Sequence, residues 1–163
     1  MSLEQTRKLV QALKNPTLYP HSVTDIDIIE THISWVLLTG PFVYKIKKPL
    51  DLGFVDFSTL EKRREYCFEE ISLNQRLAPQ IYLNVISISG TPDHPRLGLE
   101  DSPLEFAVKM RQFKPDATLD HIVSHGRLKP HHLDQLGWDL ARFHKSITMT
   151  LFEEFKLIKS IAV

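Results

Sequence analysis

The sequence predicts an α+β fold in which an antiparallel sheet with one long helix precedes a helical C-terminal segment. Three observations predict it: β-branched and aromatic runs dominate from Asp25 to Lys48, a helix-type pattern extends from Ser58 to about Leu77, and two more strand-like runs come before Lys114. Of the 163 residues, 42% are hydrophobic and 25% are charged, which is ordinary for a globular protein. This composition excludes a disordered, a collagen-like and a disulfide-scaffold chain.

The charges of the chain balance, because it has 20 Lys and Arg against 20 Asp and Glu. A neutral chain has no global field to attract nucleic acid or an anionic membrane, so we expect neither as a partner. The single cysteine, Cys67, cannot form an intrachain disulfide, and the N-terminus M-S-L-E-Q-T-R-K lacks the apolar region of a signal peptide. We therefore expect a cytoplasmic protein.

The first predicted element is a short helix within residues 1–16. Ser2 and Gln5 fit a capping box, in which the side chain of each accepts a hydrogen bond from the backbone N–H of the other, and Pro16 marks the end of the helix. We expect a lid or docking helix.

Three strand-like runs open a predicted sheet domain over residues 24–113: I-D-I-I-E-T-H, I-S-W-V-L-L-T-G and P-F-V-Y-K-I-K-K. β-branched and aromatic residues favour strands, and His32 and Gly40-Pro41 between the runs are compatible with turns. These runs predict three consecutive antiparallel strands.

The long helix is predicted from a second capping box, Ser58 with Glu61, to about Leu77. Two further strand-like runs follow near residues 81–88 and 104–113, and the Gly/Pro-rich run G-T-P-D-H-P-R between them is predicted to be a loop. The sheet is therefore predicted to have five strands, with the helix inserted after the third.

A helical segment over residues 116–163 is predicted after a boundary near residues 113–115. Four apolar residues with a 3, 4, 3 spacing form one stripe on a helix that starts after Pro130: Leu133, Leu136, Leu140 and Phe143. A shorter helix is predicted before it, and a final amphipathic run carries Leu151, Phe155 and Ile158. Because that run can cover only part of the stripe, we expect the chain to expose apolar surface and to self-associate.

The third strand carries the first candidate functional residue. Its period of two places Val43, Lys45 and Lys47 on one face, and a lysine on the inward face needs a partner because burying an unpaired ammonium is costly. Glu70 on the long helix is a candidate partner, and Glu69 is the alternative if the helix phase differs by one residue. The competing interpretation is a solvated edge strand, in which lysines discourage edge pairing.

The run F-V-Y-K-I-K-K-P-L-D-L-G-F-V-D-F-S-T-L-E-K-R, followed by E-E-I-S-L-N-Q-R-L-A-P-Q-I-Y-L, resembles the N-terminal kinase-like domain of the aminoglycoside-phosphotransferase-like family found in bacteria. The resemblance extends from about Ile26 to Ser146 and is most distinctive from Val43 to Leu83. It implies a protein-kinase-like N-lobe, a five-stranded antiparallel sheet plus one long helix, followed by an incomplete helical C-lobe. In many members of that family this domain precedes a P-loop ATPase or kinase domain.

The resemblance also implies a nucleotide-binding site, with ATP as cofactor. Lys45 would contact the phosphates, and Glu70 would hold Lys45 in place. The residues that would surround the adenine are Val43 against its face, Met110 guarding the pocket, and Arg111, Gln112 and Phe113 as the hinge whose backbone hydrogen-bonds the base.

Two departures from a kinase limit the implied activity. The loop between the first two strands reads E-T-H-I-S and lacks G-x-G-x-x-G, so backbone amides approach phosphates less closely and we expect ATP binding to be weak. No H-x-D-x-x-x-x-N and no metal-binding aspartate precede Val163, so no catalytic residue and no metal ligand are assigned. Mg²⁺ is expected only if the missing part of the C-lobe is supplied.

Other residues of reactive type have structural interpretations. The H-x-D at His132 lies inside a helix pattern, and the D-L-G at Asp51 comes too early in the chain for a metal-binding loop and is predicted to be a turn. The eight histidines lack a complete metal-binding spacing. Cys67, Trp35 and Trp138 are predicted core residues.

Two functions from different classes stay open. The leading hypothesis is an aminoglycoside-phosphotransferase-like protein with a nucleotide-binding lobe, a truncated phosphotransferase without activity of its own. The alternative is a non-catalytic regulatory or binding module that docks a P-loop ATPase domain or subunit. A third function, nucleic-acid binding by the basic strand, is disfavoured by the neutral charge.

Overall fold

A computed structural model describes residues 1–99 and 102–147 of the chain. The chain divides into two compact units, Met1–Gln112 and Phe113–Val163. The mixed α+β class is confirmed: the described residues contain four α-helices and one antiparallel sheet of six strands.

The chain begins with helix α1, Leu3–Ala12, and the predicted capping box at its start is confirmed. The Gln5 N–H donates to the Ser2 hydroxyl at 3.2 Å, and the Ser2 N–H donates to the Gln5 side chain at 2.9 Å. A short 3₁₀ turn, Pro16–Leu18, follows the helix. Leu9 and Val10 of α1 are buried against the sheet, so the helix is an integral part of this core.

The sheet consists of strands β1 to β6 in the order β1-β2-β3-β6-β4-β5, and every neighbouring pair is antiparallel. The first three strands are consecutive, as predicted. The strand bounds are β1 Asp27–Glu30, β2 Ser34–Leu38, β3 Phe42–Lys47, β4 Tyr82–Gly90, β5 Pro95–Leu97 and β6 Glu105–Arg111.

The expectation of five strands is wrong, because the predicted loop contains β5. Gly90 has a φ of 93°, which lets the chain turn back after β4. Pro95 then pairs with Gly90, and Leu97 pairs with Ile88, at the edge of the sheet. Proline is tolerated on an edge strand because the position of its missing N–H can face solvent, so no hydrogen bond between strands is lost. Three residues are too few for a period-two pattern to be recognised in the sequence.

Helix α2, Leu60–Asn74, lies between β3 and β4 in the chain and packs on β6 and β4. Its N-cap is Thr59, whose hydroxyl accepts the Lys62 N–H at 3.2 Å, and not the predicted Ser58. The Ser58 hydroxyl instead bonds Asp56 at 2.6 Å. The helix also ends three residues before Leu77, the last residue predicted for it.

Two apolar cores lie on opposite faces of the sheet. The larger core joins α1 to residues such as Trp35, Tyr44 and Ile46. The smaller core joins α2 to the sheet through Cys67, Phe106 and Val108. Because side chains alternate along β3, Val43, Lys45 and Lys47 lie on the α2 face, opposite Tyr44 and Ile46.

The second unit contains a 3₁₀ turn, Pro115–Ala117, and helices α3, Leu119–Ser124, and α4, Pro130–Ser146. Three residues of the predicted α4 stripe are exposed: Leu133, Leu136 and Leu140. The expectation that Trp138 is a core residue is wrong, since it is 73% exposed. At 3.6 residues per turn Trp138 lies nearly opposite the stripe. The run with Leu151, Phe155 and Ile158 lies outside the described residues.

Among the described helices, none has both the length and the apolarity needed to cross a membrane.

Candidate functional site

The predicted ion pair between the third strand and the long helix is confirmed. Lys45 lies in the middle of β3, opposite Val36 of β2 and Val108 of β6. Its ammonium contacts Glu70 Oε1 at 2.8 Å. The neighbouring Glu69 is exposed, which settles the phase of the helix. Because β3 is flanked by a strand on each side, the solvated-edge interpretation of its lysines is wrong.

A second lysine, which sequence reasoning did not assign to the site, shares the same carboxylate. Lys47 Nζ contacts Glu70 Oε2 at 2.6 Å, and the Lys47 side chain is only 5% exposed. Its ammonium lies 5.0 Å from the centre of the Phe57 ring. The shared face of Lys45 and Lys47 in β3 was the signal in the sequence that could have found it.

The pKa of Glu70 reflects two opposed effects. Burial acts to raise the pKa of this carboxyl group, but the hydrogen bonds and charges of Lys45 and Lys47 together hold it below its ordinary value. Glu70 is therefore an anion with both oxygens engaged.

Lys48 has other partners: its ammonium contacts Glu30 at 2.7 Å and the Thr31 carbonyl at 2.6 Å.

Cys67 lies on the α2 turn before Glu70 and is fully buried, as expected of a small core residue. Burial raises the pKa of its thiol to about 12. A buried thiol with so high a pKa carries almost no thiolate at neutral pH, which fits the structural role expected of Cys67.

A fully buried ion pair, also absent from the sequence-based prediction, lies beside this cluster. Arg63 Nε donates to both Glu105 oxygens, at 2.9 and 2.8 Å, and neither side chain is exposed. Arg63 Nη1 also donates to the Phe57 carbonyl at 2.8 Å. Burial raises the pKa of Glu105, and the guanidinium of Arg63 opposes the rise. The pair joins the first turns of α2 to the start of β6.

The residues predicted to surround an adenine lie at the other end of β3. Val43 is buried and pairs in register with Met110 of β6 and Leu38 of β2. Met110 is partly buried against the smaller core. Val43 and Lys45 therefore lie on one face, with the apolar residue two positions before the lysine.

Two backbone N–H groups of the predicted hinge already donate hydrogen bonds at the end of the sheet. The Arg111 N–H donates to the Ile81 carbonyl at 2.8 Å, and the Gln112 N–H donates to the Pro41 carbonyl at 3.0 Å. A base at this edge would have to bond backbone groups other than these two N–H groups. Phe113 is the first residue of the second unit and is 54% exposed.

The other residues of reactive type have local roles. Asp51 accepts the Gly53 N–H at 2.8 Å, which is a turn, as predicted. The rings of His121 and His125 stack 3.9 Å apart, and His132 lies in α4. Within residues 1–99 and 102–147 no group of three His, Cys, Asp or Glu side chains is placed to hold a metal ion.

Comparison with known proteins gives relatives without a functional name. The chain is 37% identical over 128 residues to the uncharacterized protein Rv2004c of Mycobacterium tuberculosis and, with the same figures, to the uncharacterized protein Mb2027c of Mycobacterium bovis. The alignment covers 77% of this chain and 24% of each relative, so the chain spans about a quarter of their length. No protein-family model and no solved structure matches the chain.

Proposed function

We propose that this chain contains a kinase-like nucleotide-binding lobe of the aminoglycoside-phosphotransferase type, in which Lys45 binds the phosphates of ATP. The observation that carries the proposal is the 2.8 Å ion pair between Lys45 in the third strand and Glu70 in the helix that follows it. In kinases a strand lysine contacts the nucleotide phosphates, and a helix glutamate pairs with that lysine. The same residue types join the same kinds of element here.

The ammonium of Lys45 suits a phosphate ligand because it is both held in place and accessible. The Lys45 side chain is 28% exposed, whereas that of its partner Glu70 is 12% exposed. Hydrogen bonds from an ammonium to a phosphate are charge-assisted and among the stronger polar contacts in proteins. A phosphate oxygen can therefore reach Lys45 without displacing the helix that positions it.

An apolar strip next to Lys45 suits the base of the nucleotide. Val43 lies between Leu38 and Met110 across three neighbouring strands, and both flanking residues are half-buried. Apolar surface beside a few fixed polar groups is the usual composition of a small-molecule site. Because the N–H groups of Arg111 and Gln112 are engaged within the sheet, we propose that apolar contact holds the base and that ATP binds weakly.

Catalytic turnover is not part of the proposal for these 163 residues. Phosphoryl transfer in kinases needs a base and ligands for Mg²⁺. The sequence has no H-x-D-x-x-x-x-N, and the described residues have no cluster able to hold a metal ion. The residues of the proposed site thus supply contacts for the phosphates and base of a nucleotide, and the proposal assigns none of them to Mg²⁺. A cytoplasmic location belongs to the same proposal, since Cys67 is a free, buried thiol.

Calorimetric titration of the full chain with ATP, with and without Mg²⁺, tests the proposal. We expect weak binding that Lys45→Ala reduces roughly tenfold or more, because a hydrogen bond to a charged group contributes about 1.5–3 kcal/mol. Lys14→Ala is the matched control, since Lys14 is an exposed lysine in the turn after α1. Submicromolar, Mg²⁺-dependent binding that is unaffected by Lys45→Ala would contradict the proposal, as would a folded chain that binds no ATP.

A second candidate function is a non-catalytic module that docks a P-loop ATPase domain or subunit. The exposed apolar stripe of α4, with Leu133, Leu136 and Leu140, favours it because an exposed apolar patch is typical of a docking surface. The test is a mixing experiment with a P-loop ATPase encoded beside this chain. A complex that forms without nucleotide and is lost on Leu136→Glu supports docking, and the absence of a complex excludes that partner.

A further inference from the structure

One carboxylate, Glu70, serves two ammonium groups at the centre of the proposed site. Its Oε1 contacts Lys45 at 2.8 Å and its Oε2 contacts Lys47 at 2.6 Å. A single lysine would suffice to neutralise Glu70. The second lysine therefore adds a positive charge that no carboxylate within this trio balances.

The neighbouring buried charges do not cancel the excess. The thiol of Cys67 is close enough to both lysines, Glu70 and Glu105 to interact electrostatically with all four. Both oxygens of Glu105, however, accept hydrogen bonds from Nε of its own partner, Arg63. Three cations and two anions leave the five-residue cluster with a net charge of +1.

The two lysines differ in their access to a ligand. Lys47 is 5% exposed and has the ring of Phe57 5.0 Å from its ammonium, so an external anion cannot reach it without local opening. Lys45 is 28% exposed and lies on the strand beside the apolar strip. An anionic ligand can therefore contact the ammonium of Lys45 but not that of Lys47.

We propose that Lys47 is a positioning residue for anion binding: it neutralises Glu70 permanently, so that the charge of Lys45 is available to the phosphates of a bound nucleotide. The inference deepens the proposed nucleotide site and rests on it. It assigns separate roles to two lysines that lie on the same face of one strand. Glu70 then orients Lys45 without cancelling its charge.

The test compares binding of inorganic pyrophosphate, without Mg²⁺, by the full wild-type chain, Lys47→Met and the double variant Lys47→Met/Glu70→Gln. Lys47→Met lowers the net charge of the cluster from +1 to 0, and we expect it to weaken binding about tenfold. The double variant returns the net charge to +1, and we expect affinity close to that of the wild type. Lys14→Met, at the exposed lysine after α1, is the control for loss of a lysine elsewhere.

Each outcome decides the inference. Recovery of pyrophosphate affinity in the double variant supports the inference. If Lys47 acted only through packing, removing the charge of Glu70 would not restore the affinity. Wild-type affinity in Lys47→Met overturns it, and so does equal weakness of the single and double variants. ATP binding that depends on Lys45 but not on Lys47 rejects the inference and leaves the proposed function intact. A folded chain that binds neither ATP nor pyrophosphate rejects both.

Lysine acylation of the native wild-type chain, read by mass spectrometry, keeps the inference testable if Lys47→Met fails to fold. We expect Lys45 to react much faster than Lys47, and pyrophosphate to slow the reaction at Lys45 alone. Equal reaction rates at the two lysines, or pyrophosphate protection of Lys47 but not Lys45, would overturn the division of roles.

Discussion

Glu105→Gln should destabilise the sheet unit more than any surface substitution, because it removes the counter-charge of a fully buried guanidinium. Arg63 and Glu105 have no exposed side-chain surface, and Arg63 Nε bonds both carboxylate oxygens within 2.9 Å. The glutamine keeps the size of the side chain but not its charge. Arg63 cannot respond by losing its proton, since guanidinium stays protonated in proteins.

The expected loss is roughly 3–5 kcal/mol, the usual cost of removing one partner from a buried ion pair. Domains are typically stable by only about 5–15 kcal/mol, so this is a large fraction of the total. With a urea dependence of about 2 kcal/mol per molar, the unfolding midpoint should fall by about 2 M. Arg63→Met/Glu105→Leu should recover part of the loss, because replacing both charges removes the buried unpaired ion. Recovery should be incomplete, since the Phe57 carbonyl loses the Arg63 donor.

Urea unfolding followed by tryptophan fluorescence is the assay. Trp35 is buried in the sheet unit and Trp138 is exposed in the second unit, so a Trp138→Phe background leaves Trp35 as the reporter of the relevant core. A midpoint within about 0.5 M of the parent for Glu105→Gln would refute the reasoning, since it corresponds to only about 1 kcal/mol. A double variant less stable than Glu105→Gln would refute the charge argument in favour of packing.

Two further predictions concern Glu70 and the stripe of α4. The pKa of Glu70 is lowered in the folded chain. The ionised Glu70 carboxylate therefore stabilises the fold above the ordinary carboxyl pKa, and this stabilisation is lost as the pH falls through the lowered pKa of Glu70. The stability difference between wild type and Glu70→Gln, measured by urea unfolding, should therefore be larger near pH 6 than near pH 3; a constant difference would contradict this. Because Leu133, Leu136 and Leu140 are exposed, light scattering should detect dimers or larger species at high concentration, and Leu136→Glu should reduce them. A clean 18.9 kDa monomer that binds no apolar dye would be the opposite result.

Local signals in the sequence predict the elements of the fold and the first contact of the site. The capping box at Ser2 involves residues three apart, and the alternation of Val43, Lys45 and Lys47 follows from the pleat of one strand. The pairing of Lys45 with Glu70 could be predicted because it needs only the phase of one strand, the phase of one helix and the cost of an unpaired buried lysine. The nucleotide role of that pair stays a prediction, carried by a resemblance and by the geometry.

Two local details of the fold depend on contacts that no periodic pattern of the sequence reveals. Strand β5 exists because Pro95 to Leu97 meet the end of β4, and three residues carry no periodic signal of their own. Ser58 was displaced as the helix cap by Thr59 because its hydroxyl bonds Asp56.

The sequence alone predicts that Val43, Lys45 and Lys47 share one face of β3, because side-chain direction follows from local backbone geometry. It does not predict the buried face of α2, on which Arg63 and Cys67 are buried while Phe68 and Leu73 are exposed. That Lys47 shares Glu70 with Lys45, and that Arg63 forms a buried pair with Glu105, 42 residues away, becomes visible in the three-dimensional arrangement of the strands and α2. The physical reason is that charge compensation depends on distances across the fold. A period of two or of 3.6 residues says which way a side chain points, but not which opposite charge lies there.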